Sequence, residues 1–167
     1  MSSSNRASDA ERLLAVVRRY TQRSVRSISD VRTYLVARRR VAPSVAARVI
    51  AACRARGILD DEAAARLWAE QWAQHGYAWA AIRVKLSAKG FEEPAIERAE
   101  RRLKAFSDDE RAQSLVAAYR ARQARSSRSS TPSVTLSSRE TNRLARMLSA
   151  RGFESDVIER AVQASFE

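Results

Sequence analysis

The chain is poor in the residues that most catalytic and metal sites require. With a single cysteine, Cys53, no disulfide can form within the chain, and with one histidine, His75, no Cys/His cluster can hold zinc. The four glycines stand singly, which excludes a Gly-rich phosphate-binding loop. No apolar run approaches the roughly 18 residues of a membrane-spanning helix. The opening "MSSSNRASDAERLL" lacks the apolar segment of a signal peptide. These features lead us to expect a soluble, reduced, cytoplasmic protein with no cofactor and no metal.

What is present is helix-forming and basic. Apolar residues make up 45% of the 167, enough for a core, and Ala, Arg, Glu and Leu dominate over the seven Gly and Pro, a composition that favours helix. The formal net charge is +12, and only Lys85, Lys89 and Lys104 among the 31 basic residues are lysines. Such an arginine surplus favours a polyanionic partner, because the guanidinium fork matches phosphate.

One phrase is written twice. "KGFEEPAIERA" (Lys89–Ala99) and "RGFESDVIERA" (Arg151–Ala161) share seven of eleven positions, 62 residues apart. Around it runs a repeated skeleton: Ile82, Leu86, Phe91 and Ile96, then Leu144, Leu148, Phe153 and Ile158. An earlier copy, Val31, Leu35, Val41 and Ala46, carries one extra residue, which the spacing puts in the "ARRRVA" turn. The i,i+4 pairs predict one helix face. Gly90 and Gly152 then predict a helix end, with the following Phe folding back. Each pair is preceded by a further helix, opened by Asp60-Asp61-Glu62 or Asp108-Asp109-Glu110. Leu67/Trp72 and Leu115/Tyr119 are expected to form the buried faces of those two helices.

The expected fold is therefore all-α: three tandem three-helix, helix-turn-helix-like repeats at residues 8–57, 58–105 and 106–167, forming an elongated, curved array. A Ser-rich insertion, 125–138, interrupts the third.

The chemical candidates mostly reduce to structure. Asp60 and Asp61 form the kind of carboxylate pair that acid–base or metal-dependent chemistry uses. Both stand at a predicted helix start, and an Asp pair recurs at Asp108/Asp109, so capping accounts for them. His75 falls at a helix end, and Cys53 falls on the apolar stripe of Val49 and Ile50. Trp68, Trp72 and Trp79 could stack on bases, but the i,i+4 spacing of Trp68 and Trp72 suits packing. No catalytic set emerges. The repeat does single out basic residues: Arg38, Lys89 and Arg151 in the last turn of the middle helices, and Arg48, Arg98 and Arg160 opposite the apolar stripe of the third. The second set is expected to be exposed. Arg32, Arg83 and Lys85 complete the candidate contacts to DNA or a nucleoprotein.

The run from Arg56 to Phe91 resembles the RecX family of regulatory proteins. It carries Gly57, Leu59-Asp60-Asp61, Ala65, Gly76, Ile82, Leu86 and Lys89-Gly90-Phe91 in order. The helical layout, length and charge extend the resemblance over essentially the whole chain. Ala64, Ala78 and Lys85 depart from the family's usual aromatic, Gly and Glu. The resemblance implies a non-enzymatic, monomeric modulator of the RecA recombinase in recombination, DNA repair and the SOS response. Such a protein binds the RecA–DNA filament and inhibits ATP hydrolysis, strand exchange or filament growth, with weak, nonspecific binding to single- and double-stranded DNA. The alternative is a sequence-nonspecific helical DNA-binding protein with no RecA partner, although Glu97 and Glu100 on its would-be recognition helix would repel phosphate. An enzyme acting on nucleic acid is the third reading, and it lacks a catalytic set.

Overall fold

The computed structural model describes residues 2–103, 107–126 and 137–164. Every regular element among them is helical, with no strand. In chain order they are α1 (Ser2–Gln22), α2 (Ile28–Thr33) running into a π-helical turn (Tyr34–Arg38), α3 (Pro43–Ala55), α4 (Asp61–Gln74), α5 (Trp79–Ala88), α6 (Glu93–Leu103), α7 (Asp108–Ser126), α8 (Ser138–Ser149) and α9 (Ser155–Gln163). The expected boundaries after residues 57 and 105 fall between α3 and α4 and between α6 and α7. Most of the Ser-rich insertion, 127–136, lies outside the described residues.

Contacts group the chain into two compact units that divide α4, α5 and α6 between them: Met1–Trp68 with Leu86–Ala99, and Ala69–Lys85 with Glu100–Glu167. In the first, Leu14, Val17, Val31, Leu35, Ala46, Val49, Ile50, Cys53 and Leu59 form the core. In the second, Ala78, Ala112, Val116, Leu144, Leu148, Phe153, Val157, Ala161 and Val162 do so. Of the skeleton read from the sequence, Val31, Leu35, Ala46, Ile82, Leu86, Phe91, Ile96, Leu144, Leu148 and Phe153 are buried, while Val41 and Ile158 are half-buried.

The face of α4 is not the expected one. Leu67 is 48% exposed, and Ala65 and Ala69 are buried instead. The helix is turned so that Asp61, Ala65, Trp68 and Trp72 share a side, a spacing of about 3.6 residues per turn that leaves Leu67 roughly opposite. In α7 the same register holds Asp108, Ala112, Leu115 and Tyr119, so the counterpart of Leu115 is Trp68 and not Leu67.

That register is set by a seam that each unit builds once. In the first unit the Ile28 N–H at the start of α2 donates to Asp61 Oδ1 at 2.8 Å. Ser27 Oγ donates to the Lys89 carbonyl at 2.8 Å and accepts from the Asp30 N–H at 3.0 Å, thereby capping α2. In the second unit the Trp79 N–H at the start of α5 reaches Asp108 at 3.3 Å, and the Ala78 N–H donates to the Arg151 carbonyl at 3.0 Å. Ser27/Ala78, Ile28/Trp79 and Lys89/Arg151 are repeat equivalents, so one joint is made twice. Glycine is required at its closing turn. Gly90 has φ +77 and Gly152 φ +84, and a Cβ would meet Ser29 Cβ at 2.8 Å or Ala81 Cβ at 2.6 Å.

The extra residue of the first copy is absorbed in the helix end. Phe91 and Phe153 return their N–H groups to Leu86 and Leu148, five residues back, whereas Val41 returns to Leu35, six back, across the π-helical turn. Arg40 then occupies the place of Gly90 and Gly152 with φ +56, a left-handed conformation that costs an L-residue about 1–2 kcal/mol.

Candidate functional site

The two classes of candidate arginine separate sharply. Arg48, Arg98 and Arg160 are all exposed. Two of them are nevertheless paired. Arg98 Nη1 reaches Glu62 Oε2 at 3.1 Å. Arg160 reaches Asp109 Oδ1 at 2.8 Å and Asp156 Oδ2 at 2.9 Å. Those carboxylates hold its guanidinium protonated above the ordinary range, and Arg160 in turn depresses Asp156. Glu62 and Asp109 lie ten residues before Trp72 and Tyr119, and ten before Tyr20 on α1 stands Ala10. Arg48 therefore has no equivalent carboxylate, and none among the described residues pairs with it. The periodic partner was readable in the sequence only after aligning the first helices on their late aromatic residue, where a cation lies over each ring: Arg26 on Tyr20, Lys85 on Trp72 and Arg143 on Tyr119.

The last-turn set behaves differently again. Arg38 is exposed at the end of the π-helical turn. Lys89 lays its ammonium 3.9 Å from the Trp68 ring centroid. Arg151 is half-buried, its Nη1 donating to the Met147 carbonyl at 3.5 Å, and its Nε has no partner among the described residues. Lys85 sits 4.4 Å from the Tyr77 ring. Arg83 faces Glu100 at 4.0 Å. Arg32 is exposed and shares with Arg98 and Arg54 a cleft of about 750 Å³ in the first unit. That cleft also presents Asp60, Asp61, Glu62 and Glu92, so its charge is mixed.

The carboxylates suspected of chemistry have structural tasks. Asp60 Oδ1 accepts from the Glu62 and Ala63 N–H groups at 2.9 and 3.0 Å, capping α4. Asp61 serves α2 instead. Burial raises its carboxyl above the usual range, the Ile28 N–H opposes that, and nearby Glu92 adds to the rise. In α7 the cap is Ser107, which accepts from the Glu110 N–H at 3.1 Å, so the two Asp pairs are offset by one position. His75 Nδ1 lies 2.6 Å from the Gln71 carbonyl, as a ring N–H closing the end of α4. Cys53 is fully buried, and burial raises its thiol, which suits packing. No group of His, Cys, Asp or Glu among the described residues is arranged to hold a metal ion. No helix among them is long and apolar enough to cross a membrane.

No family model matches the sequence, and no curated protein matches it. Solved structures do match the fold. The crystal structure of RecX from Lactobacillus salivarius superposes with a TM-score of 0.72 over 95% of this chain and 97% of that one, at 16% identity. A second crystal structure, of regulatory protein RecX, superposes with a TM-score of 0.66 over 98% of this chain and 78% of that one, at 19% identity. The fold of this chain, from α1 to α9, is the fold of the RecX structures.

Proposed function

We propose that this protein is a RecX-type regulator: a cytoplasmic, non-enzymatic protein that binds the RecA–DNA filament and inhibits RecA ATP hydrolysis, strand exchange or filament growth. The observation that carries the reading is the near full-length correspondence with two RecX structures. The net charge of +12 supports a partner that contains nucleic acid. Capping and packing account for Asp60, Asp61, His75 and Cys53, which favours binding over catalysis. Arg32, Arg38 and Arg48 are exposed for such contacts, whereas Arg98 and Arg160 reach phosphate only by exchanging carboxylate partners.

The test is RecA-catalysed ATP hydrolysis on single-stranded DNA, titrated with this protein. Inhibition well below one protein per RecA supports the proposal. Inhibition only once the DNA is coated supports the nonspecific DNA-binding alternative. Breakdown of the DNA supports an enzyme.

A further inference from the structure

A second cleft in the first unit is unlike the one that holds Arg32 and Arg98. It has a volume of about 370 Å³ and is lined by Val16, Arg19, Tyr20, Arg23, Tyr34 and Arg39, drawn from the last turns of α1 and from the π-helical turn and its end. Three of these are arginines and none is acidic. No carboxylate among the described residues pairs with Arg19, Arg23 or Arg39, and all three are exposed. Uncompensated like charges around one concavity repel one another, so the arrangement is at its best with an anion bound.

The walls add a second feature. Tyr20 and Tyr34 stack with centroids 4.1 Å apart and planes 5° from parallel. Arg26 lies over the Tyr20 ring at 4.8 Å, and its buried Nε has no partner among the described residues. The third feature is in the backbone. The residue that the first copy gains over the other two produces the π-helical turn that carries Tyr34 and delivers Arg39 to the cleft. At the turn that follows, Arg40 holds the left-handed conformation that glycine holds in the other two copies. An L-residue kept in that region, beside a π-helical turn, marks a place where something other than stability sets the sequence.

We propose that this cleft binds the phosphodiester backbone of single-stranded nucleic acid, with Arg19, Arg23 and Arg39 holding phosphates. Arginine forks suit phosphate oxygens, and the tyrosine pair supplies aromatic wall of the kind that sugars and bases pack against. The volume, about 370 Å³, is at the small end of ligand clefts, and the aromatic wall favours a single strand, whose bases are free to pack against it. This deepens the reading of a nucleoprotein partner. Because its test contains no recombinase, the cleft and the RecA reading can fail separately.

The full chain is titrated with a labelled oligodeoxythymidylate over a range of salt, alongside the triple variant R19A/R23A/R39A and its lysine counterpart R19K/R23K/R39K. The alanine triple should melt near the wild type and lose at least about tenfold in affinity. Its log–log salt slope should flatten by about 2, three phosphates at about 0.7 each. The lysine triple should keep most of that slope, because it keeps the charges. Unchanged affinity and slope in a folded alanine triple overturn the assignment. So does displacement of the oligonucleotide from the wild type by polyglutamate at equal charge, which would make the cleft a site for an acidic protein segment. Should the alanine triple melt early, R39E alone decides: undiminished binding overturns the proposal, and a loss larger than for R48E supports it.

Discussion

Asp61 shows how far a single residue's chemistry depends on what stands opposite it. As half of an Asp pair it looks like a proton carrier, yet it is the acceptor for the first N–H of α2. Burial raises its carboxyl above the ordinary value near 3.9. The folded chain therefore holds this proton at pH values where the unfolded chain has released it. The resulting stabilisation is full below the ordinary value and declines as pH rises through the raised one. Asn keeps an oxygen for Ile28 without the charge, so the stability of Asp61→Asn should gain on that of the wild type as pH rises from about 4 to 7. Asp61→Ala, which orphans the N–H, should cost about 1–3 kcal/mol near pH 4 and less toward pH 7, where the wild type has lost the stabilisation from its proton. A pH-independent difference between wild type and the Asn variant, measured by denaturant melts, would contradict this account. The arginines teach the same lesson. That Arg98 and Arg160 point outward was legible from the period of their helices. That Glu62 and Asp109 occupy them was not, because those partners sit on another helix.

Among the elements, the helix–Gly–helix pairs were the most legible, since the i,i+4 leucines and the closing glycine are local signals. The rotation of α4 was not. Leu67 is the more apolar side chain, but Asp61 must face α2, and that hydrogen bond decides which stripe turns inward. A seam made by backbone carbonyls leaves almost no mark in the sequence: Ser27 performs with its hydroxyl what Ala78 performs with its amide. Ser27 is only 1% exposed and serves two partners at once. Ser27→Ala removes a helix cap, worth about 1 kcal/mol. It also strands the Lys89 carbonyl, for about 1–3 kcal/mol more. Denaturant melts should therefore show a loss of about 2–4 kcal/mol. A loss below about 0.5 kcal/mol would mean that the seam does not hold the first unit together.

At the scale of the whole molecule, charge carries the functional argument. Ion pairs occupy part of the basic surplus: Arg12, Arg56, Arg83, Arg98, Arg111 and Arg160 each face a carboxylate. Pairing of exposed groups contributes little to stability, about 0–1 kcal/mol each, but it removes those charges from first contact with a polyanion. Among the described residues, Arg19, Arg23, Arg38, Arg39 and Arg48 of the first unit face no carboxylate, and neither do exposed arginines of the second unit such as Arg101, Arg102, Arg139 and Arg146. DNA binding by the free protein should therefore be weak, indifferent to base sequence and steeply dependent on salt. If about three to five phosphates are engaged, log affinity should fall against log salt with a slope of about −2 to −4 on a single strand, at about 0.7 per phosphate. Binding isotherms on oligonucleotides of scrambled sequence, repeated across salt, measure both properties. A slope near zero would remove phosphate contact from the account. A strong preference for one sequence would require base-edge readout and would contradict this account.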